Sequence, residues 1–175
     1  MTALVVYESM FGSTKTVAEA IAEGLRASGP VRVVEVSILA SAPGSTRLAD
    51  DITLLVVGAP THAFSLSRAS TRQDAAKQAP GGVITSGKGM REWLEALSLP
   101  TGGLPIAAFD TKVAKPNLPG SAAKSAEKRL KGAGGRPVVP ARSFKVQGKA
   151  DGLLEGEVEA ALEWGRALGG MRARL

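Results

Sequence analysis

The chain contains no cysteine and a single histidine, His62. Without cysteine, disulfides, thiolate metal sites and thiol redox chemistry are excluded, so any redox role must come from a bound cofactor. One histidine cannot complete a convincing catalytic triad, and no G-x-S-x-G elbow is present. Aromatics are few, with four Phe, two Trp and one Tyr. No aromatic set is interleaved with the basic residues, which argues against nucleic acid as a partner. No run of about 18 apolar residues exists, so no membrane-spanning helix is expected. The start, Met1-Thr2-Ala3-Leu4, lacks the basic region and small-residue cleavage site of a signal peptide. The expectation is a cytoplasmic protein.

What is present suits one domain spanning residues 1–175, with 44% apolar residues, close to the globular average. Ala3 to Tyr7 is a short apolar run rich in β-branched residues, which predicts a strand buried on both faces. Val17, Ile21 and Leu25 then recur at helical spacing, and Gly29-Pro30 stops the helix. Further strands are predicted over Val31 to Val36, Thr53 to Gly58, Ile106 to Phe109 and Val138 to Val146, the last interrupted near Pro140. Helices are predicted over Met90 to Leu99, Ser121 to Lys131 and Leu154 to Leu168, with Trp93 and Trp164 as packing residues. The second helix is expected to be short or missing around Arg47 to Asp51. Ser65 to Gly89 has little periodicity and reads as a long excursion, helical around Thr71 to Gln78 and otherwise mobile.

Alternation of apolar strands with helices implies a parallel sheet covered on both faces. Five such strands fit a doubly wound α/β sheet of order 2-1-3-4-5. Ligands in such sheets sit beyond the strands' carboxyl ends, here the loops after Tyr7, Gly58 and Phe109. The first of these holds Ser9, Met10, Phe11, Gly12, Ser13 and Thr14. A Gly- and hydroxyl-rich turn from strand to helix offers free backbone N–H groups at a positive helix end, which suits a phosphate. The same segment also reads as an ordinary strand-turn-helix capped by Thr14.

The run Tyr7-Glu8-Ser9-Met10-Phe11-Gly12-Ser13-Thr14 resembles the phosphate-binding signature of flavodoxins, in Ser9, Gly12 and Thr14. Ser13 stands where many members carry Asn. Val57-Gly58-Ala59-Pro60-Thr61-His62-Ala63-Phe64 resembles the second flavin loop of that family. The resemblance implies a flavodoxin-like three-layer sandwich that binds flavin mononucleotide (FMN). It implies that backbone groups from Thr61 to Ala63, His62 included, face the ring's N5 edge, with Pro60 stiffening the turn and Phe64 either shielding the ring or simply packing. It also implies that Phe109, Asp110, Thr111 and Lys112 supply the third loop, which grips the pyrimidine edge through backbone groups. His62 reads either as a solvated side chain or as a partner of the ring. Gly58 would let the backbone approach the ring closely. The sequence departs from well-studied flavodoxins in lacking a Trp and a Tyr placed to sandwich the ring.

The implied function is electron transfer. It is either that of a flavin redox carrier or that of a quinone- or NAD(P)H-linked oxidoreductase module, although no nicotinamide site is visible. The alternative is a flavodoxin-like binding or regulatory module that has lost FMN. No residue stands out as catalytic, the chemistry being the flavin's. Residues 61–150 hold 15 Lys/Arg against 5 Asp/Glu, a balance of +10, whereas residues 1–60 and 151–175 each carry −2. A redox partner protein with an acidic face is therefore expected, although the block also reads as ordinary solvated surface. Gly82 to Gly89 nearly spells a triphosphate P-loop, but its last position is Gly89, which cannot ligate magnesium, and no strand precedes it.

Overall fold

In the computed structural model, which describes residues 1–148, 150–172 and 174, two apolar strands form the middle of the sheet. They are β1 (Thr2–Tyr7) and β3 (Ile52–Pro60), paired in parallel from Ala3↔Leu54 to Tyr7↔Gly58. β2 (Val31–Glu35) flanks β1, and β4 (Pro105–Val113) flanks β3. The far side of β4 pairs first with β5 (Arg136–Pro137) and then with β6 (Arg142–Val146). These two pieces are one fifth strand broken around Pro140, where proline removes a ladder donor. The order is therefore 2-1-3-4-5, all parallel.

Strand residues alternate between the two faces, so the sheet carries two cores. Ala3, Val5, Leu54, Val56 and Phe109 point to α1 (Ser13–Arg26) and α6 (Glu157–Arg172). Leu4, Val6, Leu55, Val57 and Ile106 point to α4 (Met90–Ala96) and α5 (Ala122–Gly132). Trp93 and Trp164 are both buried, as expected. Trp93 donates its indole N–H to the Ser45 carbonyl, which satisfies its one polar group. Trp164 stacks edge-on with Phe109 and Phe144, at centroid distances of 6.3 and 6.1 Å.

α1 and α6 meet through glycines. A Cβ on Gly24 would overlap the Leu162 carbonyl, and one on Gly165 would overlap the Ile21 carbonyl. The two backbones touch because neither position carries a side chain.

The second helix differs from expectation in place. α2 (Val36–Ser41) follows β2 directly, and residues 42–51 are turns. Its cause is Glu35, whose carboxylate accepts the Ser37 and Ile38 N–H groups and so caps the helix start.

The excursion after β3 contains α3 (Ala69–Lys77), close to the expected helix. The rest of it is fixed at buried points, contrary to the mobile segment expected. Leu66, Ser67 and Thr85 are all buried. Among the described residues, no helix is long and apolar enough to cross a membrane.

Candidate functional site

The carboxyl ends of β1, β3 and β4 open on one cavity of about 580 Å³. Ser9, Met10, Phe11, Ser13 and Thr14 line it from the first loop, Pro60 to Phe64 from the second, and Thr111, Lys112 and Val113 from β4. Pro116, Leu118 and Pro119 close one side, and α3 contributes Thr71, Asp74, Ala75 and Lys77.

The first loop turns sharply from β1 into α1. Gly12 adopts φ 109° and ψ −17°, open in practice only to glycine, and it starts the 14-residue α1 with no side-chain cap. Thr14 is thus not the cap. Its hydroxyl lies 2.7 Å from that of Thr111 and ties the first loop to β4. The Ser9 hydroxyl accepts the Gly12 N–H at 3.2 Å and the Lys15 N–H at 3.3 Å, which curls the loop around it. The first-turn amides of Ser13 and Thr14 remain at the positive end of α1. The residues present therefore fit a phosphate.

The second loop is a tight turn. His62 and Ser65 exchange two backbone hydrogen bonds, at 2.8 and 3.0 Å. Ala63 and Phe64 between them take positive φ, 45° and 70°. Two consecutive left-handed non-glycine residues cost about 1 kcal/mol or more each and persist only where the surroundings fix them. Thr61 supplies part of that fixing. Its N–H donates to the Thr111 carbonyl, and its hydroxyl donates to Asp110 while accepting from the Ala122 N–H. Phe64 ends on the cavity rim, 54% exposed.

Twelve of the fifteen residues expected at the site line the cavity. Gly12 shapes the loop without lining the cavity. Phe109 and Asp110 are corrections: both lie inside β4, which runs four residues further than expected. Phe109 is fully buried on the α1–α6 face with Phe144 and Trp164. Asp110 is fully buried on the opposite face. Its Oδ2 accepts from the Thr61 and Ser121 hydroxyls and from the Ala123 N–H at the start of α5. It pins the second loop to α5 rather than touching a ligand. Gly58 is a further correction, because a Cβ there would enter the Phe109 ring. It is glycine for packing, not for approach to a cofactor. Among the described residues, no Trp or Tyr lines the cavity; its aromatic rings are those of Phe11, His62 and Phe64.

Sequence reasoning missed a polar cluster beneath the first loop. Glu8 is fully buried, and its Oε1 accepts from the Ser67 hydroxyl and the Met90 N–H, at 2.8 and 2.9 Å. Ser67 in turn accepts from Arg72, which is paired with Glu92 at 2.8 Å. The only signal in the sequence was a charged residue directly after a buried strand.

Burial pushes the Glu8 carboxyl above its ordinary value. The Met90 N–H, the Ser67 hydroxyl and Arg72 pull it back, and Glu92 adds to the rise. Between the ordinary and the raised value, the unfolded chain has lost a proton that the folded one keeps. Stability is therefore lost as pH rises through that window. Glu8→Gln cannot ionise and escapes this loss. Its melting temperature minus that of the wild type should become more positive as pH rises above the ordinary carboxylate range. A difference that is flat, or falls as pH rises, would reject the raised carboxyl.

Comparison with known proteins agrees with this fold. A protein-family model described as Flavodoxin matches residues 5–91. Flavodoxin 1 from Bacillus cereus superposes with TM-score 0.64 at 17% identity, covering 98% of both chains. A flavodoxin from the domain Archaea gives 0.63 at 17% identity, over 98% of this chain and 99% of its own. The flavodiiron protein from Giardia intestinalis gives 0.61 at 19% identity, over 99% of this chain but 36% of its own. No curated protein sequence matches.

Proposed function

We propose that this chain, a flavodoxin-family protein, is a single domain that binds FMN in the cavity above β1, β3 and β4 and passes electrons to a partner protein. One observation carries the reading: the start of α1, where Gly12 at φ 109° offers no side-chain cap of its own, opens through Ser13 and Thr14 onto the same cavity as the second loop and the end of β4. FMN is the cofactor of the family, and when bound it supplies the one- and two-electron chemistry.

The chain's own residues bind and orient it. The Ser13 and Thr14 amides and the Ser13 hydroxyl hold the phosphate through dipoles rather than through a paired cation. Phe11 and Phe64 offer apolar surface to the ring, in place of a Trp and Tyr pair. The turn from His62 to Ser65 holds its backbone toward the ring's edge in a fixed shape, so little reordering accompanies binding.

Titration with FMN, followed by flavin absorbance and fluorescence, tests this. We expect saturable one-to-one binding, with riboflavin far weaker because it lacks the phosphate. No binding of FMN would favour the second reading, a module that has lost its flavin. That reading draws on one observation: the Ser9 hydroxyl already occupies the Gly12 and Lys15 amides.

The partner should present an acidic face. Lys112 lines the cavity and Lys115 is exposed on the following loop, within the basic block. Opposite charges act mainly on association rate, and salt screens them over about 8–10 Å. Electron transfer should slow as salt rises, and Lys112→Glu with Lys115→Glu should slow it further at low salt. Stopped-flow rates that ignore both would end the acidic-partner proposal.

A further inference from the structure

A stretch of the excursion that reads in the sequence as structureless braces the first loop. Thr85 is fully buried. Its hydroxyl accepts the Ser9 N–H at 3.0 Å and donates to Glu35 Oε1 at 2.6 Å, and its own N–H donates to the Ser9 carbonyl at 2.8 Å. The neighbouring Ile84 N–H donates to the Met10 carbonyl at 3.1 Å. Ile84 also packs against the outside of the turn, in contact range of a Cβ placed on Gly12.

Ser9 is thus held on both sides of its backbone by one residue, 76 positions away. Its hydroxyl then holds the Gly12 and Lys15 amides. The chain of bonds runs from Glu35 at the end of β2, through Thr85, to Ser9 and the turn. Glu35 is itself fixed, because the same carboxylate caps α2.

We infer that Thr85 is a positioning residue that sets the preference of this site for a phosphorylated over an unphosphorylated flavin; this rests on the FMN reading above. Thr85 does not line the FMN cavity, so it acts only through Ser9 and the turn. Its removal should therefore cost the phosphate's share of the affinity and leave the ring's share alone. A residue that merely supported the fold would weaken both.

The test measures dissociation constants for FMN and for riboflavin on the full chain, wild type against Thr85→Val and Thr85→Ser. Valine keeps the volume but strands the buried Ser9 N–H. FMN affinity should fall about tenfold or more, with riboflavin changed by less than about twofold. Serine restores the hydroxyl, so its FMN-to-riboflavin ratio should stay within about twofold of wild type. The serine variant keeps the test decisive if the valine variant does not fold, since a collapsed ratio in Thr85→Ser overturns the inference. A valine variant that loses both ligands in equal proportion, or that keeps the wild-type ratio, overturns it too. A wild type that prefers FMN beside such a variant leaves the FMN reading standing, whereas a wild type that binds neither flavin removes both.

Discussion

Gly12→Asp should abolish FMN binding while leaving the protein folded. A Cβ at Gly12 meets only the Ile84 Cδ1, at 3.9 Å, so no clash forces the loop apart. Two penalties act together. The first is the backbone angle of 109°, which an L-residue rarely adopts. The second is a carboxylate beside a phosphate of the same sign, in a turn with no neutralising cation. At about 4 Å and an effective dielectric near 20, two unit charges repel by about 4 kcal/mol. That corresponds to a loss on the order of 100-fold or more in affinity. Gly12→Asn separates the two penalties, since it keeps the shape without the charge and should lose much less. Equal FMN affinities for Gly12→Asp and wild type would remove the anion from this loop.

Gly58→Ala should be among the most destabilising single substitutions available to this chain. The added methyl would enter the Phe109 ring, and the ring cannot retreat. Phe144 stands edge-on to it at 6.1 Å and Trp164 at 6.3 Å, all three buried. Overpacking of a closed core costs about 1–3 kcal/mol, and a rigid aromatic wall puts this case at the upper end. Urea denaturation measures it. If the cause is the ring, the cost should shrink when Phe109→Leu is made first, giving a coupling of about 1 kcal/mol or more. Strict additivity of the two substitutions would show that the ring is not the obstacle.

The sheet and its loops were legible in the sequence because their signals are local. β1 and β3 are unbroken apolar runs, α1 keeps a four-residue spacing, and Pro140 marks the break in the fifth strand. What escaped is set by contacts distant in sequence. Asp110 reads in the sequence as part of the third flavin loop. It is buried because Thr61, Ser121 and the start of α5 solvate it in place of water. Thr85 sits in a Gly-rich stretch with no periodicity, and its role comes from Ser9 and Glu35. α2 was misplaced because Val36, Ile38 and Leu39 extend the apolar character of β2. The cap that ends the strand and begins the helix is a glutamate, outside the usual short side chains. Gly58 was assigned to the wrong neighbour, since nothing local distinguishes a glycine that admits a ligand from one that admits a phenylalanine.

The glycine contact between α1 and α6 bears on the order in which the molecule can be assembled. The helix that begins at the Gly12 turn rests its spine on residues 157–172, made more than 130 positions later. A growing chain that has reached residue 150 already holds all three cavity loops, yet Ile21 and Leu25 have no α6 to cover them. Contacts that close so long a loop form late and slowly. A ribosome-stalled intermediate of that length should therefore expose an oily groove along α1, a surface for chaperones, until α6 emerges and shuts it.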